Sequence, residues 1–434
     1  MTNETDAAAL LGRPGIFSGN MRRFRAISAL VAVIFSCQVQ CSGGDPPDPR
    51  QSEEHAVLSH LGSKSGYTPP GAAEGDLGAV IPESCEAVMI AGVMRHGSRN
   101  PGKKDIAAFD LLEAKFRALS PSTLPPSFRW LPSFRNPYTV REIHELVPAG
   151  VGELAGIGAR LRGRFPALFD RYRPSRHKFR ATCKERAARS ATAFGLGLFA
   201  GAGPAATGGF EAVHVTSPSR DVPDSLLRFF DHCPAYVEME QSELGRRERE
   251  LYAGGAELAA AAERVGRALF GSGPGREVSV GEATAVYHFC AFERAHSGGN
   301  ASNAHSLCHA LSLEDALAFE YADDLKHWHK KSYGMAINAR MACPLLRHLL
   351  SALQARAAGA SDAQAELLFA HGETLLPLLS LLGLFKVLLP TPSPHSGLQR
   401  DFRWIIHRFS VILSVGTPQC PYGIAYRRVV CRIA

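Results

Sequence analysis

Three short constellations in the chain carry residue types suited to chemistry at phosphorus. The first is Arg95-His96-Gly97-Ser98-Arg99-Asn100-Pro101. An imidazole with one nitrogen held by a hydrogen bond keeps the other free as a nucleophile. Two guanidiniums offset by four residues can fork onto the non-bridging oxygens of a phosphoryl group. Gly97 lets the backbone turn tightly beside a bulky anion. The second is His371-Gly372-Glu373-Thr374. Transfer of a phosphoryl group to a histidine requires a proton for the leaving oxygen, which a positioned Glu373 carboxylic acid supplies, while His371 can donate to the phosphoryl oxygens. Alone, this stretch reads more simply as a helix start with a dipole-favoured glutamate; beside the first motif it gains chemical meaning. The third runs from Thr182 to Phe194 through Arg186, Arg189 and Ser190, and overlaps a segment, 160–189, that holds eleven Lys and Arg against Asp170 and Glu185. A solvated basic face accounts for most of these charges.

Each constellation follows a stretch that reads as a strand. Ala87 to Met94 (AVMIAGVM) is apolar throughout and stopped by Arg-His-Gly, the pattern of a strand buried on both faces. Residues 366–370 (ELLFA) repeat the theme before His371. Residues 177–183 read as a strand leading into an Ala-rich helix, 185–199, and residues 212–216 (AVHVT) as a further short strand. Residues 145–169 have helical spacing, with Leu154, Ile157 and Leu161 on one face, and the stretch after His371 reads as a helix. The expected fold is α/β: a mixed central sheet flanked by helices, with a mainly helical inserted cap. The core is expected from 81–225 and 350–403, the cap from 226–349. In open α/β sheets, sites form at the carboxyl ends of strands, where the histidine motifs lie.

The ends carry other signals. Residues 21–42 place Arg22, Arg23 and Arg25 before a short apolar run and a small-residue exit, the pattern of a signal peptide starting at Met21. Residues 1–20 are then expected to be a gene-model extension, and 43–80 a linker with a substrate-contacting segment. A secretory entry would take the protein to the endoplasmic reticulum lumen or the extracellular space. In that oxidising setting some of Cys85, Cys183, Cys233, Cys290, Cys308, Cys343, Cys420 and Cys431 should pair, and Asn300-Ala-Ser is a glycosylation sequon. No later apolar run suits a membrane span, so no stable membrane insertion is expected.

Taken together, the three motifs resemble the histidine acid phosphatase branch of the histidine phosphatase superfamily and, more narrowly, its multiple inositol polyphosphate phosphatases. The branch signature RHGxRxP is present as 95–101, and the His-x-Glu spacing of that group is present as His371-Gly372-Glu373, with Gly for the usual Ala. Further similar stretches, among them 60–67 (HLGSKSGY), 226–233 (LLRFFDHC) and 287–293 (YHFCAFE), extend the resemblance over roughly 55 to 403. It implies that His96 is the nucleophile and forms a phosphohistidine. Arg95, Arg99 and His371 would bind the phosphoryl group and Glu373 would be the proton donor. The group's third arginine lies four residues before a Ser that precedes a Phe by four, which selects Arg186 over Arg189. Lys64 lies in a substrate-contacting segment. The implied substrates are inositol polyphosphates such as inositol hexakisphosphate, with 2,3-bisphosphoglycerate as a further possibility. Neither a metal nor another cofactor is expected, and no nucleic-acid partner.

The resemblance stops near Arg403, and residues 404–434 diverge as a retained intron or frame-shifted exon would. Missing strands there would leave a sheet edge uncovered. Two other readings follow: an impaired isoform that only binds phosphorylated ligands, and a generic acid phosphatase. The formal net charge of +7 does not bear on the choice. It resides in residues 1–42 and 387–434, and the 38 basic and 38 acidic residues of 43–386 balance. The evidence for a polyanionic ligand is therefore the placement of particular arginines.

Overall fold

The structure, a computed structural model, describes residues 49–67, 86–384 and 410–416, apart from 205, 207, 274 and 299–303. Asn300 and the expected leader lie outside the described residues. Strands β1 (Ala87–Arg95), β2 (His177–Ala181), β3 (Val215–Thr216), β4 (Ala365–Ala370) and β5 (Ser410–Gly416) form one sheet in the order β3-β2-β4-β1-β5. The first four run parallel, and β5 lies antiparallel to β1. The sheet is mixed and flanked by helices, as expected. The divergent tail contributes β5, which pairs along β1 from Ala87↔Gly416 to Met94↔Ser410. That edge of β1 is therefore covered.

The unbroken apolar run of β1 follows from having a helical layer on each side. Met89, Ala91 and Val93 face one layer, where helix Cys343–Ala357 contributes Leu345, Leu346 and Leu349. Ile90 and Met94 face the other, where helices Pro148–Arg164 and Glu185–Leu198 contribute Leu154, Leu161, Phe194 and Leu198. Strand β4 divides in the same way, Leu368 and Ala370 to the first layer and Leu367 and Phe369 to the second. Phe179 of β2 stacks on Phe369 with ring centroids 6.1 Å apart. Each fully buried Leu or Phe contributes about 1.5–3 kcal/mol of transfer free energy.

A third cluster is almost wholly helical. It joins Ile106, Phe109 and Phe116 of helix Lys103–Arg117 to helices Ala256–Phe270, Val280–His296 and Leu313–Lys331. The Cys290–Cys308 disulfide closes this cluster at one end, and Cys343 is also disulfide-bonded. Among the described residues Cys183 and Cys233 are free.

The expected strand at 212–216 shrinks to Val215–Thr216. The reason is local: the His214 amide donates to the Tyr172 hydroxyl at 2.9 Å instead of to a neighbouring strand. No helix among the described residues is long and apolar enough to cross a membrane.

Candidate active site

The sheet register builds the site. Arg95 pairs with Ala370, and Ala181 pairs with Phe369, so three adjacent parallel strands end together. The residues that follow them, His96, Thr182 and His371, emerge on one edge. Their backbones are tied there, His96 N–H to the Ala370 carbonyl at 3.0 Å and Thr182 N–H to the Phe369 carbonyl at 3.1 Å.

His96 is 8% exposed, and its Nδ1 lies 2.8 Å from the Gly97 carbonyl oxygen. A carbonyl only accepts, so Nδ1 carries the proton and the lone pair of Nε2 is free. Burial, followed by the guanidinium charges of Arg95, Arg186 and Arg99, holds the imidazole well below its ordinary pKa. The ring is therefore neutral across the physiological range, as a nucleophile requires.

Three hydrogen bonds to two neighbouring helices fix the turn after His96. The Gly97 N–H donates to Ser190 Oγ at 3.1 Å, and that hydroxyl donates to the Arg186 carbonyl at 2.6 Å. Ser98 donates its N–H and its hydroxyl to the two carboxylate oxygens of Glu153, at 2.8 and 2.7 Å. The turn runs so close to helix Pro148–Arg164 that a Cβ at Gly97 would collide with the Gly150 carbonyl. Gly97→Ala is therefore expected to destabilise the protein by about 1–3 kcal/mol. It should also lower kcat with little change in KM, because the shifted backbone carries His96 with it. Thermal melting and steady-state kinetics check both effects, and an unchanged kcat would contradict the fit.

Arg95, Arg99 and Arg186 converge with His96 on one end of a cavity of about 410 Å³. Arg95 comes from the last position of β1 and Arg186 from the first turn of helix Glu185–Leu198. Arg186 Nε is buried with no hydrogen-bond partner among the described residues. Burial and the neighbouring cations lower both Arg99 and Arg186 to about 10, so each remains charged near neutrality. Arg189, the other arginine of that motif, is exposed and pairs with Glu185 at 3.5 Å.

His371 is 1% exposed and lies behind His96 and Arg186, its ring centroid 5.4 Å from that of His96. Arg186 Nη2 donates to its Nδ1 at 3.3 Å, and its Nε2 then donates to Thr182 Oγ1 at 3.0 Å. Burial and the Arg186 charge keep this imidazole neutral as well. In this arrangement His371 orients Arg186.

Glu373, in the first turn of helix Gly372–Leu381, opens on the cavity and pairs with Lys331 at 2.8 Å. Burial alone would raise its pKa, but the Lys331 ammonium and its hydrogen bond overcome that and hold the carboxyl well below the usual range. Lys64 also lines the cavity, 3.2 Å from Asp105. His288 lies between two carboxylates, 3.5 Å from Asp105 and 3.4 Å from Asp323. Lys104, Lys326 and His327 complete the basic wall. Of the residues singled out in the sequence, Arg95, His96, Arg99, Arg186, Glu373 and Lys64 line this cavity, and His371 is buried beside Arg186 and does not line it. Sequence reasoning missed Lys331, Glu153, Asp105, His288 and Asp323.

The arrangement offers a free imidazole nitrogen among three guanidiniums, a carboxyl group lining the same cavity, and two further lysines, Lys104 and Lys326, without an ion pair among the described residues. The model of the histidine phosphatase superfamily (branch 2) matches residues 88–405. The chain is similar to multiple inositol polyphosphate phosphatase 1 of Gallus gallus, 30% identical over 70% of this chain, and spans 65% of that relative's length. Among solved structures it resembles the phytase from D. castellii, with a TM-score of 0.65 at 15% identity, covering 86% of this chain and 80% of that one. It also resembles Bifidobacterium longum multiple inositol polyphosphate phosphatase in complex with inositol hexasulfate, with a TM-score of 0.55 at 18% identity, covering 75% of this chain and 81% of that one. At these identities the two structures show likeness of fold alone.

Proposed function

The chain belongs to the histidine phosphatase superfamily, branch 2, and on that footing we propose that it is a phosphomonoesterase acting on inositol polyphosphates such as inositol hexakisphosphate. The observation that carries this reading is the cavity itself. Three guanidiniums beside a neutral His96 suffice for one phosphoryl group; of the four lysines on the walls, Lys64 and Lys331 pair with Asp105 and Glu373, and Lys104 and Lys326 have no ion pair among the described residues. That excess suits a small ligand with several phosphates better than a simple monoester. The relative named for inositol polyphosphates, and the fold shared with a protein bound to inositol hexasulfate, support the same substrate class.

The reaction proceeds in two displacements. His96 Nε2 attacks phosphorus while Arg95, Arg99 and Arg186 hold the non-bridging oxygens and stabilise the charge that spreads over them. Glu373 protonates the leaving inositol oxygen. Water then attacks the phosphohistidine with Glu373 as base, and phosphate leaves with retention at phosphorus. The Cys290–Cys308 disulfide suits the oxidising compartment of a secretory protein.

The test compares phosphate release from inositol hexakisphosphate, 2,3-bisphosphoglycerate and simple monoesters by the purified protein. The expected result is the highest kcat/KM on the inositol substrate. Similar values on every ester would leave a generic acid phosphatase. Tight binding of inositol hexakisphosphate with no phosphate release would leave a binding protein.

A further inference from the structure

Lys331 is the last residue of helix Leu313–Lys331, where a lysine is ordinarily a solvated complement to the helix dipole. Here its side chain is 13% exposed, and the ammonium points into the cavity wall at Glu373 Oε1, 2.8 Å away. The neighbouring Lys330 takes the ordinary role, pairing with Glu240 on the surface.

The ion pair is not what joins the two helices. Ser332 Oγ meets Ser380 Oγ at 3.2 Å, and the Tyr333 hydroxyl donates to the Leu384 carbonyl at 2.5 Å, with the Leu379 carbonyl 3.5 Å away. Asn338 Nδ2 clamps the intervening turn by donating to the His329 and Ser332 carbonyls, at 3.0 and 2.8 Å. These uncharged bonds hold Lys331 against Glu373 whether or not the charges attract. The Lys331 ammonium and the Glu373 carboxylate both line the cavity, so a bound phosphoryl group offers the ammonium a second partner.

We propose that Lys331 is a positioning residue for the reaction: its ammonium holds Glu373 while the cavity is free of substrate and passes to a phosphoryl oxygen of the bound ester, leaving Glu373 as the proton donor. This rests on the phosphomonoesterase reading above. The ester enters as a monoanion, and its phosphate proton passes to the Glu373 carboxylate as the dianion takes over Lys331. His96 Nε2 forms the bond to phosphorus, the bond from phosphorus to the inositol oxygen breaks, and the Glu373 proton goes to that oxygen. Water then attacks phosphorus, Glu373 accepts its proton, the bond from Nε2 to phosphorus breaks, and the proton returns to solvent as phosphate leaves.

Lys331 is not the sole charge that Glu373 faces. His327 lies on the same helix, Arg95 and Arg99 flank His96, Arg186 and His371 approach from the far side, and Tyr236 from helix Pro234–Gln241. The arginines and the neutral histidines persist in a Lys331 variant, so the change isolates the lysine.

The test is the pH profile of kcat/KM on inositol hexakisphosphate. With a monoanionic substrate the acidic limb reports protonation of Glu373 in the free protein. In Lys331→Met the carboxyl loses its nearest cation and its pKa rises. The acidic limb should therefore move to higher pH by about one to two units, the effect of an opposite charge at this range. Lys331→Arg should keep the limb within about half a unit of the native position. A purely structural role would lower the rate of both variants without moving the limb. A second measurement uses the native protein: sulfate, which has no titratable proton at pH 5, should be taken up together with a proton, read by calorimetry in two buffers. Glu373→Gln should bind sulfate without that uptake. An unmoved limb in Lys331→Met, or equal proton uptake by the native protein and Glu373→Gln, would overturn the role of Lys331. Absence of phosphate release from any ester by the native protein would instead overturn the reading on which it rests.

Discussion

Replacing His96 with alanine is expected to lower kcat on inositol hexakisphosphate by about 10⁴-fold or more, a barrier increase of roughly 5.5 kcal/mol. The expectation rests on three features of the site. The Gly97 carbonyl fixes the proton on Nδ1, so Nε2 is available. Burial and the surrounding cations hold the imidazole well below its ordinary pKa, which favours the neutral ring that attack requires. Arg95, Arg99 and Arg186 converge on the same end of the cavity, so the phosphoryl group is held where the lone pair points. Alanine removes the nucleophile and leaves the anion site standing. Substrate affinity should therefore persist while turnover disappears. Rapid mixing of the native protein with labelled substrate, stopped in alkali to preserve phosphohistidine, should show label on His96. A His96→Ala protein that keeps more than about one hundredth of the native kcat would rule out covalent catalysis at this position. The native rate should also withstand EDTA, because guanidiniums supply the charge stabilisation; full loss on chelation would overturn this account.

The part of this site that could be read from the sequence is the part built on strand ends. A parallel strand covered on both faces has to be apolar along its length, so Ala87–Arg95 and Ala365–Ala370 stand out, and the polar residue that stops each one marks the sheet edge. His96 and His371 are placed by that rule alone. Arg186 required the resemblance, since eleven basic residues crowd 160–189 and helical spacing cannot say which one turns inward. The structure shows why Arg186 differs from Arg189: Ser190, one turn after Arg186, is buried and ties that turn to Gly97, whereas Arg189 lies on the solvent side.

What stayed hidden depends on contacts between distant segments. Glu153 reads as one more charge on an amphipathic helix until its carboxylate is seen gripping Ser98, 55 residues away. His288 reads as a polar interruption of an apolar helix until Asp105 and Asp323 are found on either side of it. Lys331 reads as a helix-terminal cation, and only the packing of its helix on Gly372–Leu381 turns it towards Glu373. In each case local periodicity reports a face, while function depends on what the tertiary fold brings opposite that face.

Replacing Glu373 with glutamine should lower kcat on inositol polyphosphates by about 10²–10⁴-fold, the usual contribution of a positioned general acid. It should slow phosphoryl transfer from aryl phosphates to His96 far less. The difference lies in the leaving group. An inositol oxygen departs as a strongly basic alkoxide unless it is protonated, whereas a phenolate departs without help. Glutamine keeps the size of the side chain and an oxygen for Lys331 to donate to, so the 2.8 Å contact can survive while the transferable proton is gone. Arg95, Arg99 and Arg186 are untouched, and attack by His96 should proceed normally on substrates that need no acid. The second displacement still lacks its base in this variant. An aryl phosphate should therefore give a burst of phenol equal to the protein present, followed by slow turnover, with label accumulating on His96. Burst and leaving-group dependence together separate the acid role from the base role of one carboxyl group. Equal losses on inositol and aryl substrates, with no burst, would mean that Glu373 only shapes the cavity and that the leaving oxygen takes its proton elsewhere.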